Sequence, residues 1–194
     1  MKKNQEEKYL YENIKDSIYP WVKKSLVDHE ALNGKMISAK DTPLISFAGD
    51  LMVTLVIKRG EDIFEIMKDN MLPDDCDIEA LYHKACENLA RDVEFVIGHT
   101  MFGGFAVMAD GHHEASALCL KHIWKVCAEK LNSDIIIMAP AKDMVLFIPS
   151  GWKEKVLDQM VQFGSQAYDR NQDKISTELF LFSKDKEELV PYEQ

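Results

Sequence analysis

From residue 51 onward, short apolar runs alternate with longer amphipathic stretches. LMVTLVIK and DIFEIM flank Arg59-Gly60-Glu61, and behind them Ile78, Leu81, Tyr82, Ala85 and Leu89 recur at three- and four-residue steps. EFVIGHT and FAVMA flank Met101-Phe102-Gly103-Gly104 and lead to the stripe Leu120, Ile123, Trp124, Cys127 and Leu131. DIIIMA and MVLFIP flank Pro140-Ala141-Lys142-Asp143. Behind them Val156, Met160, Phe163 and Ala167 lie beside Leu157, Val161, Gly164 and Tyr168, a broad apolar helix face. The pattern predicts three β-β-α units with helices over about Asp77 to Asp92, His112 to Lys130 and Trp152 to Asp169, closed by the strand TELFLFS. Turn glycines near 60 and 103 supply the backbone freedom that hairpins need.

Ahead of this core, Tyr11, Ile14, Ile18, Val22 and Leu26 form one stripe, which predicts a helical segment within residues 1–30, divided at Pro20. Residues 29–50 read as loop with one short strand around Lys35 to Ala39. Both alternating sets in LMVTLVI and DIIIM are apolar, so both faces of their sheet should be covered. The expected fold is a single α+β domain over residues 1–194. An N-terminal helical region precedes a mainly antiparallel, helix-packed sheet over 51–183.

Composition narrows the class without naming a function. Apolar residues make up 46% and charged residues 29%, so a folded core is expected over disorder. The formal charge of -10, with no long Lys/Arg run, argues against nucleic acid or an anionic membrane as partner. No apolar stretch approaches the ~20 residues that span a bilayer. MKKNQEEKYLYENIKD lacks the apolar segment of a secretory signal. Cys76, Cys86, Cys119 and Cys127 follow no disulfide spacing, which suits a reduced, cytoplasmic protein.

Three groups of residues could carry chemistry. Asp110, His112, His113 and Glu114 surround a turn, but consecutive helical residues point about 100° apart and cannot converge on one ion. They read more simply as a helix start, with Asp110 or Gly111 as the cap and Glu114 at the capping-box position. His83 with Cys86, and Cys119 with His122, are each three apart and could form a zinc tetrahedron, although zinc sites usually take one pair from a turn. If the hairpins ran in register, the helix starts would bring Asp74, Asp75 and Asp77 to the same sheet end as Asp110 to Glu114. Arg59, His99 and Lys142 would then lie at the opposite end. No nucleophile elbow, phosphate loop or dinucleotide fingerprint occurs, and no cofactor is expected.

Residues 110–120, DGHHEASALCL, and 135–149, IIIMAPAKDMVLFIP, resemble the bacterial YtpQ-like family of unknown function. There an Asp-Gly-type turn leads into a helix beginning E-A-S, and a later apolar strand ends in a P-x-[RK]-D turn. The matching positions here are Glu114, Ala115 and Ser116, then Pro140, Lys142 and Asp143, with lysine where arginine is expected. The resemblance covers about residues 90–150 and implies a bacterial cytoplasmic protein. It carries over no catalytic residues. It adds Lys142 and Asp143 to the candidate site, as a hairpin turn or as a loop facing a ligand.

Two functions follow as expectations. The first is a non-enzymatic protein-interaction or regulatory domain, binding another protein or a second copy of itself. The alternative is a small metal-assisted hydrolase using the acidic, histidine-bearing end of the sheet.

Overall fold

The structure, a computed structural model, describes residues 10–24, 29–32, 35–38 and 42–193. In chain order the elements are α1 (Tyr11–Ile14), β1 (Ile18–Lys24), β2 (His29–Leu32), β3 (Lys35–Ser38), β4 (Leu44–Ala48), β5 (Leu51–Gly60), β6 (Ile63–Ile66) and α2 (Ile78–Asp92). They continue as β7 (Val96–His99), β8 (Phe105–Met108), α3 (Lys121–Leu131), β9 (Ile135–Ala141), β10 (Met144–Pro149), α4 (Glu154–Arg170), β11 (Leu179–Ser183) and β12 (Glu188–Pro191). This is an α+β fold of antiparallel sheets packed with helices. Among the described residues no helix is long and apolar enough to cross a membrane. The pattern predicted one domain over residues 1–194. The backbone groups into two compact units, one up to Asp92 and one from Val93 onward, with short runs near residues 22–24 and 46–52 belonging to the second.

The predicted N-terminal helical segment over residues 1–30 is corrected in the first unit. Among the described residues of that stretch only Tyr11–Ile14 is helical, and Ile18–Lys24 is a strand buried at every position but the last. A helix would have left one side exposed. Ile18, Tyr19, Pro20, Trp21 and Val22 are instead apolar in succession, as in a strand covered on both faces. Pro20 fits because β1 ends the strand order β1-β5-β4, where a missing amide breaks no inner ladder. Leu26 of the predicted stripe and residues 1–9 of the predicted helical segment lie outside the described residues, as does Ala39 of the predicted short strand.

Helix α2 begins where the sequence indicated, with Asp77 Oδ1 accepting the Ala80 amide at 3.0 Å. Leu81 and Ala85 of α2 pack against Ile14, Ile18, Leu55 and Ile57. Asn88, fully buried, donates through Nδ2 to the carbonyls of Lys15 (2.8 Å) and Ile18 (3.0 Å), satisfying backbone groups between α1 and β1. The Tyr19 hydroxyl donates to Asp92 Oδ2 at 2.7 Å.

The second unit is built on a six-stranded sheet of order β12-β11-β9-β10-β8-β7, antiparallel at each pairing. The second and third predicted hairpins share it, whereas β5–β6 lies in another sheet. Strand β12, which the apolar pattern did not indicate, pairs with β11 from Phe180↔Pro191 to Ser183↔Glu188. In the β7–β8 turn, the Gly103 amide donates to the Thr100 carbonyl (3.1 Å) and the Thr100 amide to the Gly104 carbonyl (2.9 Å). With φ +90° at Gly103, this is a type I turn closed by a glycine bulge.

Over β9 and β10 both faces of this sheet are covered, by helices from the same chain. Ile136, Met138, Leu146 and Ile148 pack on Met160 of α4. On the other face Phe147 meets Trp124 of α3, ring centroids 5.4 Å apart. Strand alternation places Leu146 and Phe147 on opposite faces, so α4 and α3 sandwich β9 and β10. Each large side chain buried there contributes about 1.5–3 kcal/mol.

Candidate functional site

The predicted helix start at His112 is not formed. Residues 110–114 are a turn, Ala115–Cys119 is a 3-10 segment, and α3 begins at Lys121. Side-chain carboxylates explain the delay. Asp110 Oδ1 accepts the amides of His112 and His113, both at 3.0 Å, and Glu114 Oε1 accepts those of Ala109 (3.0 Å) and Gly111 (2.9 Å). These local acceptors offer the backbone an alternative to the helix ladder, and Gly111, at φ +81°, closes the turn. Both capping roles foreseen for the turn are therefore filled, but around a loop.

The turn is a closed polar cluster. His113 is 1% exposed, and its Nδ1 lies 2.8 Å from Asp110 Oδ2. Glu114 is also buried. Burial would raise the Asp110 pKa, but the hydrogen bond and charge of His113 and the two backbone amides outweigh it and hold the carboxyl below its ordinary value.

Residues 110–120 and 135–149 meet here. The Ala115 amide donates to the Lys142 carbonyl at 2.9 Å. The expected placement of Lys142 at the opposite sheet end is thereby overturned. Because β10 pairs antiparallel with β8 (Val145↔Val107), the start of β10 lies beside the end of β8. Pro140 and Ala141 belong to β9, leaving Lys142-Asp143 as the turn. Asp143 accepts from Asn171 Nδ2 at 2.9 Å in place of the turn amides, and Lys142 Nζ lies 3.2 Å from Asp173. Asp110, His112, His113, Glu114, Lys142 and Asp143 thus lie along one end of the sheet, tied together mainly through backbone groups. Asn171 and Asp173, which clamp the hairpin, have no local sequence signature.

A groove of about 750 Å³ opens from this end along the α4 side of the sheet. Its walls include Met101, Phe102 and Met108 from the β7–β8 hairpin, Met144 from β10, and Phe163 with Gln159, Gln162 and Gln166 from α4. The helical residues fall at three- and four-residue spacing, so one side of α4 forms one wall. Met101 is fully exposed, and Met108 and Phe163 are each 49% exposed. The broad apolar face of α4 signalled part of this groove in the sequence. The hairpin contribution depends on strand order and was not visible there.

The other candidates do not assemble. Among the described residues no three His, Cys, Asp or Glu side chains are grouped so as to hold a metal ion. His83 is exposed and 3.8 Å from Glu79, Cys86 is half-buried, Cys119 is buried and His122 is exposed. Asp74, Asp75 and Asp77 belong to the first unit and precede α2. Arg59 pairs with Glu65 at 2.8 Å, and the His99 ring packs on Phe105. A smaller cavity of about 250 Å³ in the first unit is bounded by Ile14, Leu72, Leu81 and Cys76. Burial, with Asp75 and Asp77 nearby, pushes the Cys76 thiol up, which disfavours the nucleophilic thiolate.

No family model, curated protein or solved structure matches the chain.

Proposed function

We propose that this chain is a protein-interaction domain whose binding face is the groove between α4 and the β7–β8 hairpin. The carrying observation is the incomplete cover of one sheet face. Helix α4 packs on β9 and β10, and beyond it Met101, Met108 and Phe163 are left largely exposed. A helix about 10 Å across spans roughly two strands spaced about 4.8 Å apart, so the bare strip over β7 and β8 has the width of one further helix. An amphipathic helix of a partner protein, laid beside α4, would bury these side chains. The methionines adapt to an irregular apolar surface, and the three glutamines offer hydrogen bonds without a charge to desolvate. The turn at Asp110–Glu114 then has a supporting role, bracing the end of β8 next to Met108.

The four cysteines form no disulfide with one another, which supports a reducing, cytoplasmic setting. The family resemblance of residues 110–120 and 135–149 supports a bacterial one.

The test is site-specific photo-crosslinking in cells. Probes at Met101 and Phe163 should give one discrete adduct, absent from a probe at Glu87 on the exposed side of α2 and lost when Met108→Glu is added. Identical adducts from all three positions, or none from the groove, would sink the proposal.

A further inference from the structure

We infer that the outer edge of β7 pairs with the β7 edge of a second copy of this chain, antiparallel and with Ile97 opposite Ile97 across the two-fold axis. The six-stranded sheet has two edges, and they are built differently. Strand β12 carries Glu188 and Pro191, a charge and a residue without an amide, both of which discourage further pairing. Strand β7 reads Val-Ile-Gly-His, with no lysine, proline or bulge among its residues. Val96 is 48% and Ile97 38% exposed, so the strand that ends the sheet is also open at its side chains.

The backbone determines which groups are offered. The Thr100 amide donates inward to Gly104, and β7 pairs Val96↔Met108 and Gly98↔Ala106 on the same ladder. In an antiparallel pair, inward and outward groups alternate by residue. Val96, Gly98 and Thr100 therefore point their amides and carbonyls toward β8, and Ile97 and His99 point theirs away. A protein occupant that bonds this whole row in register must itself be extended, so the partner segment is a strand.

A second β7 fits it because outward residues must pair with outward residues. Centred on Ile97, the pairing sets Ile97 against Ile97 and Phe95 against His99 of the other copy, an aromatic pair. Val96 then faces Gly98, and Glu94 faces Thr100. No like charges oppose each other, which an acidic chain of formal charge -10 would meet in many other self-pairings. At Gly98 the absent side chain leaves room that Met108 Cε already approaches, within 2.6 Å of where a β-carbon would stand. The small position opposite Val96 is thus held by a neighbouring methionine, and the two copies bring their Val96 and Met108 side chains into one apolar band. An isologous contact of this kind closes on itself at a dimer.

The inference is independent of the groove proposal, since backbone groups of β7 carry it. Light scattering coupled to gel filtration of the full chain should give twice the 22.2 kDa of one copy. Ile97→Pro removes an outward amide while sparing the inward ladder, and an extended Val96 suits the residue before proline. It should yield a monomer with an unchanged circular dichroism spectrum. Ile97→Lys, which places two ammonium groups face to face without touching the backbone, should do the same if the proline variant fails to fold. Ile97→Cys should cross-link to a dimer on oxidation, its opposed α-carbons being about 5.5 Å apart, while Val96→Cys should not. Phe163→Glu in the groove should leave the dimer mass unaltered. A monomeric wild type, a dimer that survives Ile97→Lys, or cross-linking at Val96→Cys equal to that at Ile97→Cys would each overturn the inference. A monomeric wild type would leave the edge to a strand from another protein.

Discussion

Nδ1 of His113 lies 2.8 Å from Oδ2 of Asp110, inside a turn whose other Asp110 oxygen already accepts two backbone amides. The carboxylate form of Asp110 is therefore favoured in the folded protein, and its pKa is held below the ordinary value. A depressed folded pKa means stability that is present above the unfolded value of about 3.9 and lost as pH falls through the folded one. Asp110→Asn should lower the unfolding midpoint at neutral pH, and its deficit should shrink as pH drops below about 4. Urea unfolding of both proteins across pH 2 to 7, on the order of one experiment per half unit, checks this. A deficit independent of pH would refute the ionic account.

Glu114 accepts two amides through a single oxygen in a buried position. Glu114→Ala leaves the Ala109 and Gly111 amides without that acceptor, at about 1–3 kcal/mol for each buried donor left unsatisfied. Glu114→Gln keeps an acceptor oxygen and should lose clearly less. Denaturant melts rank the two variants, and equal losses would mean that packing of the side chain dominates.

Two adjacent glycines in the β7–β8 turn should respond differently to alanine. Gly103 has φ +90° and open space around it, so Gly103→Ala should cost about 1–2 kcal/mol, from backbone strain alone. At Gly104 a β-carbon would stand 2.3 Å from Phe102 Cε2, 2.8 Å from Ile148 Cγ2 and 3.1 Å from the Phe147 carbonyl oxygen. Gly104→Ala should therefore destabilise more and also change the chemical shifts of Ile148. A milder effect at Gly104 than at Gly103 contradicts this geometry.

The Tyr19 hydroxyl is pushed up to about 12, first by burial and then by its hydrogen bond to Asp92. A raised folded pKa means stability intact below the unfolded value of about 10 and lost as pH rises toward the folded one. Tyr19→Phe should flatten the alkaline limb of the stability profile between about pH 10 and 12. In difference spectrophotometric titration, the signal missing from Tyr19→Phe should titrate near the upper end of that window. Loss of signal at pH 10 would contradict the burial.

The sequence was most informative where period and burial agreed. The apolar runs of β9 and β10 and the stripes of α2 and α4 became those elements because each pattern matches how the element is covered. Ile18 and Val22 misled because a strand buried on both faces has no period of two, and its apolar residues can fall at helical spacing by coincidence. At His112 the carboxylates of Asp110 and Glu114, not apolar periodicity, decided the conformation. Strand β12 was hidden because edge strands carry charge. The contact between Ala115 and Lys142 could not be read locally at all, since it depends on β8 pairing with β10 across an intervening helix.

The position of β9 between β10 and β11 has a consequence during synthesis. Its ribosome-side neighbour comes last: Leu179–Ser183 must emerge before the second side of Ile135–Ala141 can be closed. Until then the nascent chain exposes one edge of an uncharged Ile-Ile-Ile-Met segment, a composition prone to intermolecular β-aggregation. A stop codon or protease cut ahead of Leu179 would make that exposure permanent. Such fragments should partition into inclusion bodies or onto chaperones, while the full chain escapes by completing its final hairpin.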